Sequence, residues 1–446
     1  MMMNQLSLIL FISILGVNGY IQTERWFEEQ LIDHYDRTNK QTYRQRYWTV
    51  EEYFQPEGGA VLFWICGEYT CPGIRKERLF PVELAQTHKA LIVVLEHRFY
   101  GKSMPFGEDA LKIENLKYLG IRQALDDLAY FQLYIVQNKL FGVKQSHPWI
   151  AIGGSYPGAM AAWYRYQYPH LVVGALASSA VVQILTDFPK FDTQVYLSAL
   201  KSGQECADDL KALNQYAEDN LDVVRARLNA QKLKDDEFLF YFTDAIILKI
   251  QYGGRTRLCN DLKGKTIEEQ MDYFINRALV EDNLESYGSF YLKDDVYDEQ
   301  NLRSSRQWKY QCCTEVGWWQ TAPEQDSLRS DRLDIEFYKQ YCKDIFGEDL
   351  KLWPDEDVGN AYFGGFDLQV DNIIFTNGDE DPWKWVSIIE EQGNFDVYHI
   401  NCTNAGHCVE LYTPTDQDCD QLKQARIEIS QIFGNWIRDH YSKQEL

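Results

Sequence analysis

Apolar positions along this chain fall into two textures. Short continuous runs appear at Ala60-Val61-Leu62-Phe63-Trp64-Ile65, Ala90-Leu91-Ile92-Val93-Val94-Leu95, Leu171-Val172-Val173-Gly174-Ala175-Leu176-Ala177-Ser178-Ser179, Asn372-Ile373-Ile374-Phe375-Thr376 and Val397-Tyr398-His399-Ile400. Such runs, rich in branched residues, mark strands buried on both faces, as in a parallel sheet. Helical spacing separates them: residues 123–140 place Leu125, Leu128, Ile135 and Val136 on one side, with Gly142 past the end, and a terminal helix is expected over about 418–441. Between about 188 and 366 the texture changes to a charged, helix-patterned stretch dense in tryptophan and tyrosine, with little strand signal. Strands alternating with helices predict a doubly wound α/β sheet carrying an inserted, mainly helical segment.

One apolar run ends abruptly. Ile150-Ala151-Ile152 meets Gly153-Gly154-Ser155-Tyr156-Pro157-Gly158 and continues as the alanine-rich Ala159-Met160-Ala161-Ala162-Trp163. This reads as strand, sharp turn and helix, with a serine hydroxyl presented at the strand's carboxyl end, the nucleophile elbow of an α/β-hydrolase. Pro157 stands where the usual Gly-x-Ser-x-Gly motif has its second glycine. Proline is accommodated in a helix's first turn, where its missing N–H has no partner to lose. The same stretch is also compatible with a strand-loop-helix turn that carries no nucleophile.

The predicted organisation is a signal peptide at 1–19, a first part of an α/β-hydrolase core at 20–188, a helical cap at 189–366 and the rest of the core at 367–446. The amino-terminal apolar run, residues 6–17, is shorter than the roughly 20 residues a bilayer span needs and ends in Asn18-Gly19, a cleavable pattern. No later stretch suits a membrane anchor. Ten cysteines, an even number without zinc spacing, fit disulfides in an oxidising compartment, and adjacent Cys312 and Cys313 must find different partners. Asn401-Cys402-Thr403 is a glycosylation sequon. Lys443-Gln444-Glu445-Leu446 differs at one place from the tetrapeptide that retains proteins in the endoplasmic reticulum; an ordinary polar tail is the preferred reading and a retention signal the alternative. A net charge of −23 excludes nucleic acid as a partner, because phosphate binding needs clustered Lys and Arg. Oligomeric state stays open, a homodimer included.

Serine needs a histidine base and an orienting carboxylate, which in this fold follow in the order Ser, Asp or Glu, His. The two returning strands lead into Asn377-Gly378-Asp379-Glu380-Asp381-Pro382-Trp383 and Asn404-Ala405-Gly406-His407-Cys408. Of the histidines beyond the inserted segment, His399 lies inside a strand and His440 on the terminal helix, which leaves His407 as the base. Asp381 is the expected carboxylate, since Pro382 forces it extended; Asp379 and Glu380 read as a solvated turn. An oxyanion would be held by backbone N–H groups of Tyr156 and of the turn Gly67-Glu68-Tyr69, whose side chains are not needed for that role.

These stretches resemble the serine peptidase family that includes lysosomal Pro-X carboxypeptidase, dipeptidyl peptidase II and thymus-specific serine protease, most of all the last. The likeness is carried by Phe27-Glu28-Glu29-Gln30-Leu31-Ile32-Asp33-His34-Tyr35, Glu96-His97-Arg98-Phe99-Tyr100-Gly101, the Gly-Gly-Ser-Tyr turn, Gln311-Cys312-Cys313-Thr314-Glu315-Val316-Gly317, the Asp-Pro-Trp element and Gly406-His407-Cys408. The resemblance implies a capped α/β-hydrolase, a Ser155, Asp381, His407 triad, no metal or organic cofactor, and exopeptidase action on short peptide substrates, often after proline, in lysosomes or outside the cell. It also implies that Trp383 lines the proline-accepting pocket. Val409-Glu410-Leu411 departs from the family pattern after the histidine and bears on pocket shape. Two other readings keep the fold: an esterase or lipase-like hydrolase, and a catalytically idle binding protein.

Overall fold

The computed structural model describes residues 19–278, 284–348, 353–393 and 395–444. Residues 1–18 of the expected signal peptide, and Glu445 and Leu446 of the carboxyl-terminal tetrapeptide, lie outside the described residues. Eight strands form one sheet: β1 (Thr23–Leu31), β2 (Thr42–Val50), β3 (Val61–Ile65), β4 (Leu91–Leu95), β5 (Trp149–Gly154), β6 (Gly174–Ser178), and, after a long insertion containing the short strands β7 (Leu185–Asp187) and β8 (Gly317–Trp319), β9 (Ile373–Gly378) and β10 (Phe395–Ile400). Their order is β1-β2-β4-β3-β5-β6-β9-β10. From β4 to β10 every neighbouring pair is parallel, whereas β1, β2 and β4 pair antiparallel. This is the α/β-hydrolase fold.

Strand alternation divides the core between the two faces of the sheet. Val61, Phe63, Leu91, Val93 and Ala151 point to one side, beneath the helices Ile121–Gln137 and Tyr156–Gln167. Leu62, Trp64, Ile92, Val94, Ile150 and Ile152 point to the other, where Ile429, Phe433 and Trp436 of the terminal helix Asp420–Gln444 cover them. Burial on both faces explains why these runs contain no polar alternation.

β1 and β2 escape a search for apolar runs because polar residues dominate both, and the fold satisfies those residues individually. Arg46 makes a paired contact with Glu96, at 2.6 and 3.1 Å, and Gln45 donates to the Glu96 carbonyl. Arg98 donates to Asp127 at 2.5 and 2.7 Å and to the carbonyls of Leu31 and Ile32. The Glu96-His97-Arg98 motif is thus a buried ionic frame tying the antiparallel edge to the parallel sheet.

The insertion contributes the helices Pro189–Leu200, Gln204–Asp219, Asp235–Gln251, Arg255–Leu262, Ser305–Gln311 and Ile335–Phe346, among others, plus the parallel pair β7–β8, which three-residue strands hide from sequence patterning. Disulfides join Cys206 to Cys259 and Cys313 to Cys342 within it, and Cys66 to Cys71 and Cys402 to Cys419 in the core. Cys312 and Cys408 are buried thiols.

Glu315 of the insertion caps a core helix. Gly120 offers no side chain at the start of Ile121–Gln137, and both Glu315 carboxylate oxygens accept the Ile121 N–H at 3.1 Å. Burial pushes this carboxyl up to about 7, against the pull of the Ile121 N–H and Arg122. Between the ordinary carboxyl value and about 7 the folded chain keeps a proton that the unfolded chain has released, so stability falls as pH rises through that window. Glu315→Gln, which keeps an acceptor for Ile121, is expected to flatten this decline and raise Tm by a few degrees just above neutral pH, read by thermal denaturation from pH 4.5 to 8.

Candidate active site

Ser155 sits between β5 and the helix Tyr156–Gln167 with φ 67° and ψ −129°, a conformation that costs a side-chain-bearing residue energy. Close packing enforces it. A Cβ on Gly153 would lie 2.0 Å from the Pro157 carbonyl oxygen, and one on Gly158 would lie 2.6 Å from the Ser178 carbonyl oxygen. Pro157 occupies the helix's first turn, and its ring packs on Gly67, where a Cβ would meet Pro157 Cγ at 2.4 Å. The turn expected to complement the elbow is therefore pressed directly against it. Within that turn Tyr69 N–H donates to Gly67 O at 2.8 Å, so the Tyr69 amide is already engaged.

His407 and Asp381 meet at the ends of β10 and β9. His407 Nδ1 lies 2.8 and 2.9 Å from the two Asp381 oxygens, and both side chains are almost wholly buried. Asp381 also accepts the Trp383 N–H at 3.0 Å, so its carboxylate is oriented by its own loop. Burial favours the neutral ring, but the Asp381 carboxylate, with Cys408 beside it, outweighs that effect and holds the His407 pKa well above its ordinary value. Ser155 and His407 line one cavity of about 320 Å³. Trp383, whose ring stands 6.3 Å from the His407 ring, lines a second cavity of about 200 Å³ with Trp308, Trp318 and Trp319. Asn401 is exposed, beside the Cys402–Cys419 bridge.

Three side chains depart from their sequence reading. Glu380 is not solvated: it is fully buried and accepts two hydrogen bonds from Arg255, at 2.7 and 2.9 Å, and one from the Asn404 N–H. Asp379 is likewise engaged, by Lys201, Lys384 and His399. Glu68 contributes more than its backbone, because it lines the Ser155 cavity while its Oε2 is buried without a hydrogen-bond partner, and burial pushes its pKa up.

Sequence reasoning missed the fastening that aligns these loops. The turn after the helix Asp235–Gln251 docks on the histidine loop: His407 N–H donates to Gln251 O at 2.7 Å, and Thr256 Oγ1 donates to Asn404 Oδ1 at 2.8 Å. Arg255, from the same turn, holds Glu380 one residue before Asp381. A second tie runs to the elbow, where Gln311 Nε2 donates to the Tyr156 hydroxyl at 3.0 Å and His97 Nε2 lies 2.9 Å from it. Only the unusual arginine after a Gly-Gly pair hinted at any of this. Among the described residues no cluster of metal-ligating side chains occurs, and no helix is long and apolar enough to cross a membrane.

Arg255→Ala strands the Glu380 carboxylate in the interior and is expected to destabilise the fold by about 3–5 kcal/mol, whereas Arg255→Ala combined with Glu380→Leu recovers part of that loss. Urea denaturation of the wild type and the two variants checks this.

Comparison with known proteins agrees with this architecture. The serine carboxypeptidase S28 family matches residues 30–238 and 259–429. The chain is 38% identical to the probable serine protease EDA2 of Arabidopsis thaliana, covering 86% of this chain and 80% of that one. It is 29% identical to thymus-specific serine protease of Mus musculus, with coverages of 94% and 89%, and 27% identical to mouse lysosomal Pro-X carboxypeptidase, with coverages of 93% and 89%. Of the family members named from the sequence, thymus-specific serine protease at 29% exceeds lysosomal Pro-X carboxypeptidase at 27%, as the motifs suggested. The residues matched span core and insertion alike, and the chain belongs to the serine carboxypeptidase S28 family.

Proposed function

We propose that this chain is a serine exopeptidase that hydrolyses short peptides, preferring a bond that follows proline, with Ser155 as nucleophile, His407 as base and Asp381 as the orienting carboxylate. The observation that carries the reading is the shared cavity of Ser155 and His407, with the imidazole bound through Nδ1 to a buried carboxylate. In the neutral ring Nδ1 donates to Asp381 and Nε2 accepts the serine proton, and the carboxylate that raises the ring's pKa stabilises the imidazolium that forms. Ser155 Oγ then attacks the carbonyl carbon, and the N–H groups of Tyr156 and of Gly67 or Glu68 hold the oxyanion. His407 returns the proton to the amine as it leaves, and water repeats the sequence on the acyl-enzyme.

The Trp383 cavity suits the residue on the acyl side. Its four indoles offer flat apolar faces against which a proline ring packs well. The insertion, read as a cap over 189–366, restricts the site to chain ends and flexible peptides. Four disulfides and the likeness to a lysosomal carboxypeptidase support a place in the secretory pathway, in lysosomes or outside the cell. An N-linked glycan on exposed Asn401 fits the same route.

Ser155→Ala is expected to abolish labelling by a fluorophosphonate and to lower peptide cleavage at least about 10⁴-fold, with Tm and secretion preserved; turnover surviving in that variant would remove the serine from the mechanism. Trp383→Ala is expected to raise KM about tenfold for substrates with proline on the acyl side, and less for alanine counterparts, in a matched peptide panel. An equal effect on both removes Trp383 from the specificity pocket.

A further inference from the structure

Two cavities lie near His407, one lined by Ser155 and His407 themselves and one by Trp383, whose ring is 6.3 Å from the imidazole, and they differ in which end of a peptide they can hold. The group that protonates the departing amine must face it. His407 lines the larger cavity, so the leaving fragment lies there, while the acyl fragment occupies the tryptophan-lined one.

Arg78 reaches into the leaving-fragment cavity. Its Nη1 touches the Cys408 carbonyl at 3.5 Å and its guanidinium lies 4.7 Å over the Tyr412 ring. Of the described residues' ion pairs, which employ most of the arginines, none involves Arg78 or Arg75, its neighbour on the rim over the Tyr69 ring. A planar fork of donors without a carboxylate of its own is suited to a carboxylate brought by a guest. Glu68 lines the same space, with its Oε2 buried and without a hydrogen-bond partner.

The acyl-side cavity has the opposite disposition. Asp244, the carboxylate among its described lining residues, is bound by Arg329 at 2.7 Å. Lys309 stands there over Phe240 and Trp319, at 4.8 and 5.5 Å from the ring centroids, in no ion pair among the described residues. A free α-amine would meet a cation and an occupied carboxylate.

We propose that Arg78 is the receptor for the terminal carboxylate of the peptide, so that the enzyme releases residues from the carboxyl end; this deepens the peptidase reading and rests on it. Arg78 binds substrate and takes no part in proton transfer, so its loss registers mainly in KM.

The test uses pairs of proline-containing peptides identical except for a free acid or an amide at the carboxyl end, with products identified by mass. The wild-type protein is expected to favour the acid at least tenfold in kcat/KM and to release the carboxyl-terminal residue. Arg78→Ala is expected to bring that ratio close to one by raising KM for the acid, and Arg78→Lys, a charge without the fork, to restore part of it. Equal cleavage of acid and amide by the wild type, release of amino-terminal dipeptides, or a ratio untouched by Arg78→Ala would each overturn the proposal. Should Arg78→Ala fail to fold, the wild-type ratio and Arg78→Lys decide it. The peptidase reading falls on a separate result, undiminished cleavage by Ser155→Ala.

Discussion

The site depends on a backbone that a serine would not choose. At φ 67° Ser155 lies outside the broad regions open to residues with a Cβ, and such a conformation costs on the order of 1–3 kcal/mol. It persists because the helix that follows is packed so tightly on β5 and β6 that Gly153 and Gly158 have no room for a methyl group. Pro157 adds to this constraint, since its ring presses against Gly67 and locks the elbow to the neighbouring turn. The motif's displaced glycine is thus exchanged for a second point of contact, and the sharp turn is retained.

A strained serine becomes useful only where an imidazole and a carboxylate stand beside it, and the sheet supplies that by order. β5, β6, β9 and β10 are consecutive neighbours and parallel, so their carboxyl ends open on one rim. Neighbouring strand ends alone leave loops free to drift. The turn from Gln251 to Thr256 grips both of them, through a backbone bond to His407, a side-chain bond to Asn404 and the buried ion pair to Glu380. The inserted segment is therefore part of the alignment of these loops.

Much of this was legible in the residues because one physical rule governs each part. Continuous branched runs have to be doubly buried strands, and a Gly-Gly-Ser followed by an alanine-rich helix has to turn sharply. The chain order of Ser155, Asp381 and His407 then selects among the candidates. What escaped was decided by distant partners. β1 and β2 are strands because Arg46 finds Glu96 and Arg98 finds Asp127, which no local pattern announces. Glu380 looked like a surface charge until Arg255, remote in sequence, took it into the interior. The Glu68 side chain was set aside because only its backbone belonged to the motif, although the residue lines the cavity with a buried carboxyl oxygen that has no partner.

Gln311 bridges the Tyr156 and Tyr100 hydroxyls, at 3.0 and 2.5 Å, from a helix of the insertion. Because Tyr156 directly follows Ser155, any swing of that helix away from the core would break buried polar contacts and tug on the elbow itself. The positions of the helix Ser305–Gln311 and of Tyr156 are therefore set together, and neither shifts without unseating two buried hydroxyls.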